Sequence, residues 1–397
     1  MVCPRAFLFM ATVLCAVSPA AEAQRSREPS LEELERRAAA DSNDATIHYR
    51  LALAHWKRKH WDDPERSLRV AVDLAPQYAE AWLALAVLPD MRGASYWRRI
   101  RDRQGAGAVD SAFSESDRYF RRAFLNNPLV DLAILGRFRG KPLLADERDR
   151  PILVFWWMAE FEKAENDLRE ARYARALERF SHILAQPRSG PDYSGLPDVI
   201  LFHHGLAAAR LGQFDLAIRD FGLLTGRAKA DEEHASIYAM PFRTNDYRYV
   251  LATMYYLSGR FQHAAATFRR VLEFDVGVYQ AHIQLARMYE SSGMLAQARE
   301  EWEAATQVNP EDPQLLVDYG GLLARAGLLK EAGEVLAEAV HRQPRNAVAA
   351  FALGNNALQR GDSAQAREAL RHFLAVAPST LASFRAEAER KLLGLEH

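Results

Sequence analysis

Residues 285–310 read LARMYESSGMLAQAREEWEAATQVNP, and their pattern decides the fold. Leu285, Tyr289 and Trp302 are bulky and apolar, at spacings that put them on helix faces. Gly293 interrupts the pattern where a helix must end in the left-handed region, which a β-carbon disfavours. Ala286 and Ala298 are small enough to let two antiparallel helices approach closely. Pro310 stops the second helix, because it lacks an N–H and restricts the residue before it. The stretch therefore predicts a helix–turn–helix unit.

The unit recurs. Gly259, Gly293, Gly327 and Gly361 stand 34 residues apart, and Ala264, Ala298, Ala332 and Ala366 keep the same step. So do Leu251, Leu285, Tyr319 and Leu353, with Ala252, Ala286, Gly320 and Gly354 beside them. Pro310, Pro344 and Pro378 close the last three units. One hairpin cannot bury its apolar face alone, whereas stacked neighbours can, so the expectation is a cooperative, elongated array.

This pattern resembles the tetratricopeptide repeat, and the resemblance covers most of the chain. It implies an all-α solenoid, a right-handed superhelix of antiparallel helix pairs. Units start near Asn245, Tyr279, Pro313 and Ala347, with further ones near Asp198 and, more weakly, Trp157. About six units then fill residues 157–380, with an insertion at 226–244. Two units fill 45–128, starting near Ala45 and Ala79, with an insertion at 89–111. Residues 129–156 form an irregular connector, 24–44 a linker with a short capping helix begun by Ser30 and Glu33, and 381–397 a terminal capping helix.

The first residues differ. Arg5, the apolar run Ala6–Val17 and Ala21-Glu22-Ala23 have the order of a secretory signal peptide over 1–23, so a periplasmic or secreted protein is expected. The run is too short to span a bilayer. Cys3 and Cys15 both lie inside it, so a cleaved chain would have no disulfide and no thiolate chemistry. Leu14 before Cys15 argues against lipidation. The chain has 397 residues and a formal net charge of −1, so no overall field draws it to nucleic acid.

Catalytic motifs are lacking: there is no His-Glu-x-x-His, no Gly-x-Ser-x-Gly and no P-loop. No enzyme, cofactor or metal site is expected. His203 and His204 are neighbours on one helix, point different ways and make a poor chelating pair. Two clusters stand out. Trp97, Arg98, Arg99, Arg101 and Arg103, preceded by Tyr96, suit an acidic partner or lipid headgroups, or else form a solvated helix face. Phe155, Trp156, Trp157 and Phe161 are interface anchors or core.

The resemblance further implies that the first helix of each unit lines a concave groove. By unit position that groove holds Phe202, Tyr249, Thr253, Tyr256, Gln280, Arg287, Glu290, Val317, Arg325, Phe351 and Asn355. Tyr249 and Tyr256 share a face, and Arg287 and Glu290 are helix neighbours. Such a mixture suits an extended or helical peptide of a protein partner. The Lys/Arg/Asn carboxylate clamp of some family members is absent, although Asn355 stands at one matching position. The expected function is an exported scaffold for protein–protein interaction that assists envelope or secretion-related assembly. The alternatives are an envelope enzyme or enzyme subunit built from the insertions, and a peripheral membrane protein using the Arg/Trp insert.

Overall fold

The computed structural model describes residues 29–57, 62–130, 156–185, 196–227, 244–310 and 312–395. The signal-peptide reading therefore falls outside the described residues, as do most of the connector and most of the 226–244 insertion. The described residues form nineteen α-helices and no strand. They are α1 Leu31–Ala40, α2 Ala45–Lys57, α3 Asp62–Leu74, α4 Ala79–Met91, α5 Gly93–Gln104 and α6 Ala106–Asn126. Beyond the connector come α7 Trp156–Arg169, α8 Tyr173–Ala185, α9 Leu196–Arg210, α10 Phe214–Arg227, α11 Thr244–Leu257 and α12 Phe261–Phe274. The array ends with α13 Tyr279–Ser291, α14 Leu295–Val308, α15 Pro313–Arg325, α16 Leu329–Arg342, α17 Ala347–Gln359, α18 Ser363–Val376 and the cap α19 Ala382–Gly394.

The pairs form for the reasons legible in residues 285–310. Gly293 has φ 73°, and the residue after it, Met294, donates its N–H to the Tyr289 carbonyl at 2.8 Å. That bond closes the helix end while the chain reverses. Gly212, Gly259, Gly327 and Gly361 repeat the same positive φ. In the weakest unit Ala171 occupies this turn with φ 56°, and Arg172 donates to Asp167 at 2.7 Å. The turn geometry thus survives without glycine, at a local cost in strain.

Close approach needs the small residues. Ala264, Ala298, Ala332 and Ala366 are all fully buried. A β-carbon on Gly320 would come within 2.6 Å of Leu336, and one on Gly354 within 2.8 Å of Leu370. Trp302, Phe268 and Phe373 fill the space between helices. The 89–111 stretch is largely helical, supplying α5 and the start of α6.

The array is not a simple extended spiral. Its first units lie back along the later ones, in reversed order. Asp41 accepts from the Ser379 N–H at 2.7 Å, and Asn43 donates to the Val376 carbonyl at 2.9 Å. Arg345 donates to the Ser42 carbonyl at 2.6 Å, and Gln343 to the Asp73 carbonyl at 2.7 Å. Gln280 donates to Asn126 at 3.4 Å. Most of these later partners sit at turns that join one unit to the next, and Gln280 sits in the first turn of its helix. Phe124 of α6 packs on Phe202 of α9 with centroids 5.5 Å apart, so one apolar core runs through both halves. The expectation of a plainly elongated array is corrected accordingly: polar turns on one edge find partners within the chain.

Candidate interaction surface

The concave face expected from unit position is occupied at one end by α6. Phe202 and Tyr249 are fully buried, and Gln280 nearly so. Leu125 of α6 packs in the same cluster as Tyr249, Phe268 and Val278. Arg121 reaches Asp246 at 2.8 Å and Asp275 at 3.5 Å. Arg122 lies 4.2 Å over the Trp82 ring and faces Asp312 and Tyr279. Burial without full compensation pushes the Asp312 carboxyl up to about 6, and pushes the Tyr249 hydroxyl up as well. Phe202, Tyr249 and Gln280 therefore do not line an open groove. They hold the chain's own α6.

At the other end, α19 covers the face. Phe351 lies between Phe373, at 5.0 Å, and Phe384, at 5.3 Å. Lys391 sits 5.1 Å over the Phe351 ring and donates to Asn355 at 2.6 Å. Phe351 and Asn355 thus belong to the terminal cap. Val317, the remaining apolar position, is buried.

Between these ends a strip stays accessible. Thr253, Tyr256, Arg287 and Glu290 are half-buried, and Arg325 is exposed. Arg287 and Glu290 each reach into the next unit. Arg287 lies 3.6 Å from Asp318, and Glu290 accepts from Trp302 Nε1 at 2.7 Å and from Arg325. The expected charge pair along one helix is instead two pairs between units. Tyr256 meets Phe261 edge-on at 5.7 Å, and Phe261 is 57% exposed. One unit on, Leu295 occupies the same position at 39% exposure, beside Met294 at 48%. These three apolar residues extend the strip onto the turn edge. The strip assignment missed them because they start second helices, where apolar residues usually pack inward.

The Arg-rich cluster divides. Arg98, Arg99, Arg101 and Arg103 are exposed along α5. Trp97 is not part of that surface: it is buried, and its Nε1 donates to the Pro89 carbonyl at 2.8 Å. Of the other aromatic cluster, Phe161 packs on Phe180 at 5.9 Å as core. Phe155 lies outside the described residues, as do the side chains of Trp156 and Trp157. Among the described residues no group of three or more His, Cys, Asp or Glu is placed to hold a metal, and no helix is long and apolar enough to cross a membrane.

A sequence profile of the tetratricopeptide repeat matches residues 283–347. Curated protein sequences give no match. Among solved structures, the C-terminal part of a tetratricopeptide-repeat-containing protein from Cytophaga hutchinsonii is similar, at 15% identity and TM-score 0.44, covering 54% of this chain and 78% of that one. MamA from Desulfovibrio magneticus RS-1 is similar at 18% identity and TM-score 0.36, covering 50% and 98%. YrrB, described as a tetratricopeptide-repeat protein with an unusual peptide-binding site, gives 14% and 0.37, covering 53% and 98%.

Proposed function

Because the chain belongs to the tetratricopeptide-repeat family, we propose that it is an interaction scaffold that holds a partner protein on the strip Tyr256–Phe261–Met294–Leu295. The observation that carries this reading is the exposure of Phe261, Met294 and Leu295 in successive units. Apolar side chains lined up on a solvent face mark a contact surface. Arg287, Glu290 and Arg325 flank them and supply polar contacts that fix a partner's direction. The partner segment has apolar side chains facing the strip and charged groups beside them. The order of Arg5, the Ala6–Val17 run and Ala21-Glu22-Ala23 supports an exported protein of the bacterial envelope, working in assembly or secretion there.

The test is capture of a partner from the native envelope fraction by the mature chain, crosslinked and identified. Phe261→Ala with Leu295→Ala, both on the exposed strip, should abolish that capture while circular dichroism and melting temperature stay close to the parent. A double variant that keeps its partner at full affinity places the binding surface elsewhere. N-terminal sequencing of the cell-derived protein should begin at or near Gln24, and finding Met1 in a cytoplasmic fraction overturns export.

A further inference from the structure

Unit alignment places His204 in a column that is apolar in the following units, where Leu251, Leu285, Tyr319 and Leu353 stand. Gly205 next to it fills the small-residue column, against Phe221. His204 is buried, and its Nδ1 lies 2.5 Å from Oδ2 of the fully buried Asp220 on α10. The other carboxylate oxygen of Asp220 accepts from Arg219 at 3.0 Å. On its opposite side His204 Nε2 lies 2.9 Å from Oγ of Ser181, an exposed residue of α8. A polar pair where leucine would pack carries a desolvation cost that an apolar core avoids. Three helices from two units converge on this chain of contacts.

The proton positions follow from the partners. Asp220 takes the Nδ1–H, which leaves Nε2 of neutral His204 as an acceptor aimed at Ser181. The Ser181 hydroxyl has two acceptors in reach, Nε2 and the Leu177 carbonyl at 2.8 Å. When it donates to Nε2, an exposed hydroxyl faces a base that a buried carboxylate orients. A nucleophile, a base and an orienting group in that order are the arrangement that activates serine.

We propose that Ser181, His204 and Asp220 form a nucleophilic serine site that accepts acyl groups from small activated esters. Ser181 Oγ bonds to the acyl carbon as its proton passes to His204 Nε2. Asp220 stabilises the imidazolium. The adduct breaks its bond to the leaving oxygen, which takes the proton from Nε2. The products are acyl-Ser181 and the free alcohol. Water later attacks the acyl carbon by the same route, releasing the carboxylic acid and restoring the serine.

The fold also sets the rate. Ser181 lies inside α8, where backbone N–H groups are engaged in helix bonds, so no pair of them faces the developing oxyanion. Loss of even one oxyanion donor costs on the order of 10²–10³ in rate. Acylation and deacylation both pass through that oxyanion and are both slowed. An activated ester, with its good leaving group, still acylates Ser181 faster than the acyl-serine hydrolyses, so the site takes up about one acyl group per chain and turns over slowly.

The experiment uses the full chain with a fluorophosphonate probe and, separately, p-nitrophenyl acetate. The parent should give an adduct on Ser181 by peptide mass and a burst of about one equivalent of p-nitrophenol, followed by slow release. Ser181→Ala should remove both. Asp220→Asn and His204→Gln should lower labelling at least tenfold with unchanged circular dichroism. A parent with no adduct on Ser181, or labelling undiminished in a folded Asp220→Asn chain, overturns the proposal.

Discussion

Arg121 and Asp246 meet at 2.8 Å across the seam between the first units and the later ones. The Arg121 side chain is about a third exposed, whereas Asp246 is almost fully buried. Removing the cation takes a counter-charge away from a buried carboxylate. Arg121→Ala should therefore lower stability by about 2–3 kcal/mol, read by thermal or denaturant melts. Arg121→Ala with Asp246→Asn should cost less than Arg121→Ala alone, because the buried charge is removed together with the cation. A double variant that is worse than the single would show that the pair is idle and the residues matter for packing.

Ala298 and Ala332 sit at helix crossings with no accessible surface. Replacing either with Leu should cost on the order of 1–3 kcal/mol by overpacking. Gly320→Ala should do the same on a smaller scale, since its β-carbon meets Leu336. Trimming Leu336 to Val in the Gly320→Ala chain should recover part of the loss. Melts of the leucine variants that match the parent would refute the register of the crossings.

Ala171 is the one non-glycine residue with positive φ among the described residues. Glycine there relieves strain of about 1–2 kcal/mol. Greater freedom of the unfolded chain takes back about 0.4–1 kcal/mol. Ala171→Gly should thus stabilise the protein slightly, by about half to one kcal/mol, and raise its melting temperature. A lower melting temperature would mean that the Ala171 side chain contributes contacts that outweigh the strain.

Asp312 gives the pH dependence. Its carboxyl is raised from 3.8 to about 6 by burial, so between those values the folded chain binds a proton that the unfolded chain has lost. Stability from this group is full below the lower value and is lost as pH rises through the upper one. Asp312 also caps α15 by accepting from the Gln314 N–H at 3.1 Å, a role that Asn keeps. Asp312→Asn should therefore match the parent near pH 4 and exceed it by roughly 2 kcal/mol near pH 7. Equal melting curves at both pH values would contradict this account.

The sequence made the repeat legible because its constraints are local. A turn glycine, a crossing alanine and a closing proline act within one unit, so periodicity reveals them. The cap over Phe351 was also readable, as a helix following the last unit. The return of α6 onto Phe202, Tyr249 and Gln280 was not, because it depends on residues far apart in the chain. Nothing in the sequence around Arg121 and Arg122 marks Asp246 and Asp312, far along the chain, as the acids they meet. Trp97 misled for a related reason: an indole next to arginines reads as surface, whereas its N–H is spent on the Pro89 carbonyl. Ser181, His204 and Asp220 stand on three helices, and no short motif spans them.

The contacts of Asp41 with Ser379 and of Asn43 with Val376 change how the array responds to force. A free helical-repeat spiral lengthens like a spring, by small rotations shared among its units. Here the first unit is latched to the last, so a pull applied at both ends loads the latch before any coil extends. The molecule should be stiff up to a threshold and then lengthen abruptly, with the released length set by how much chain lies between the latched residues.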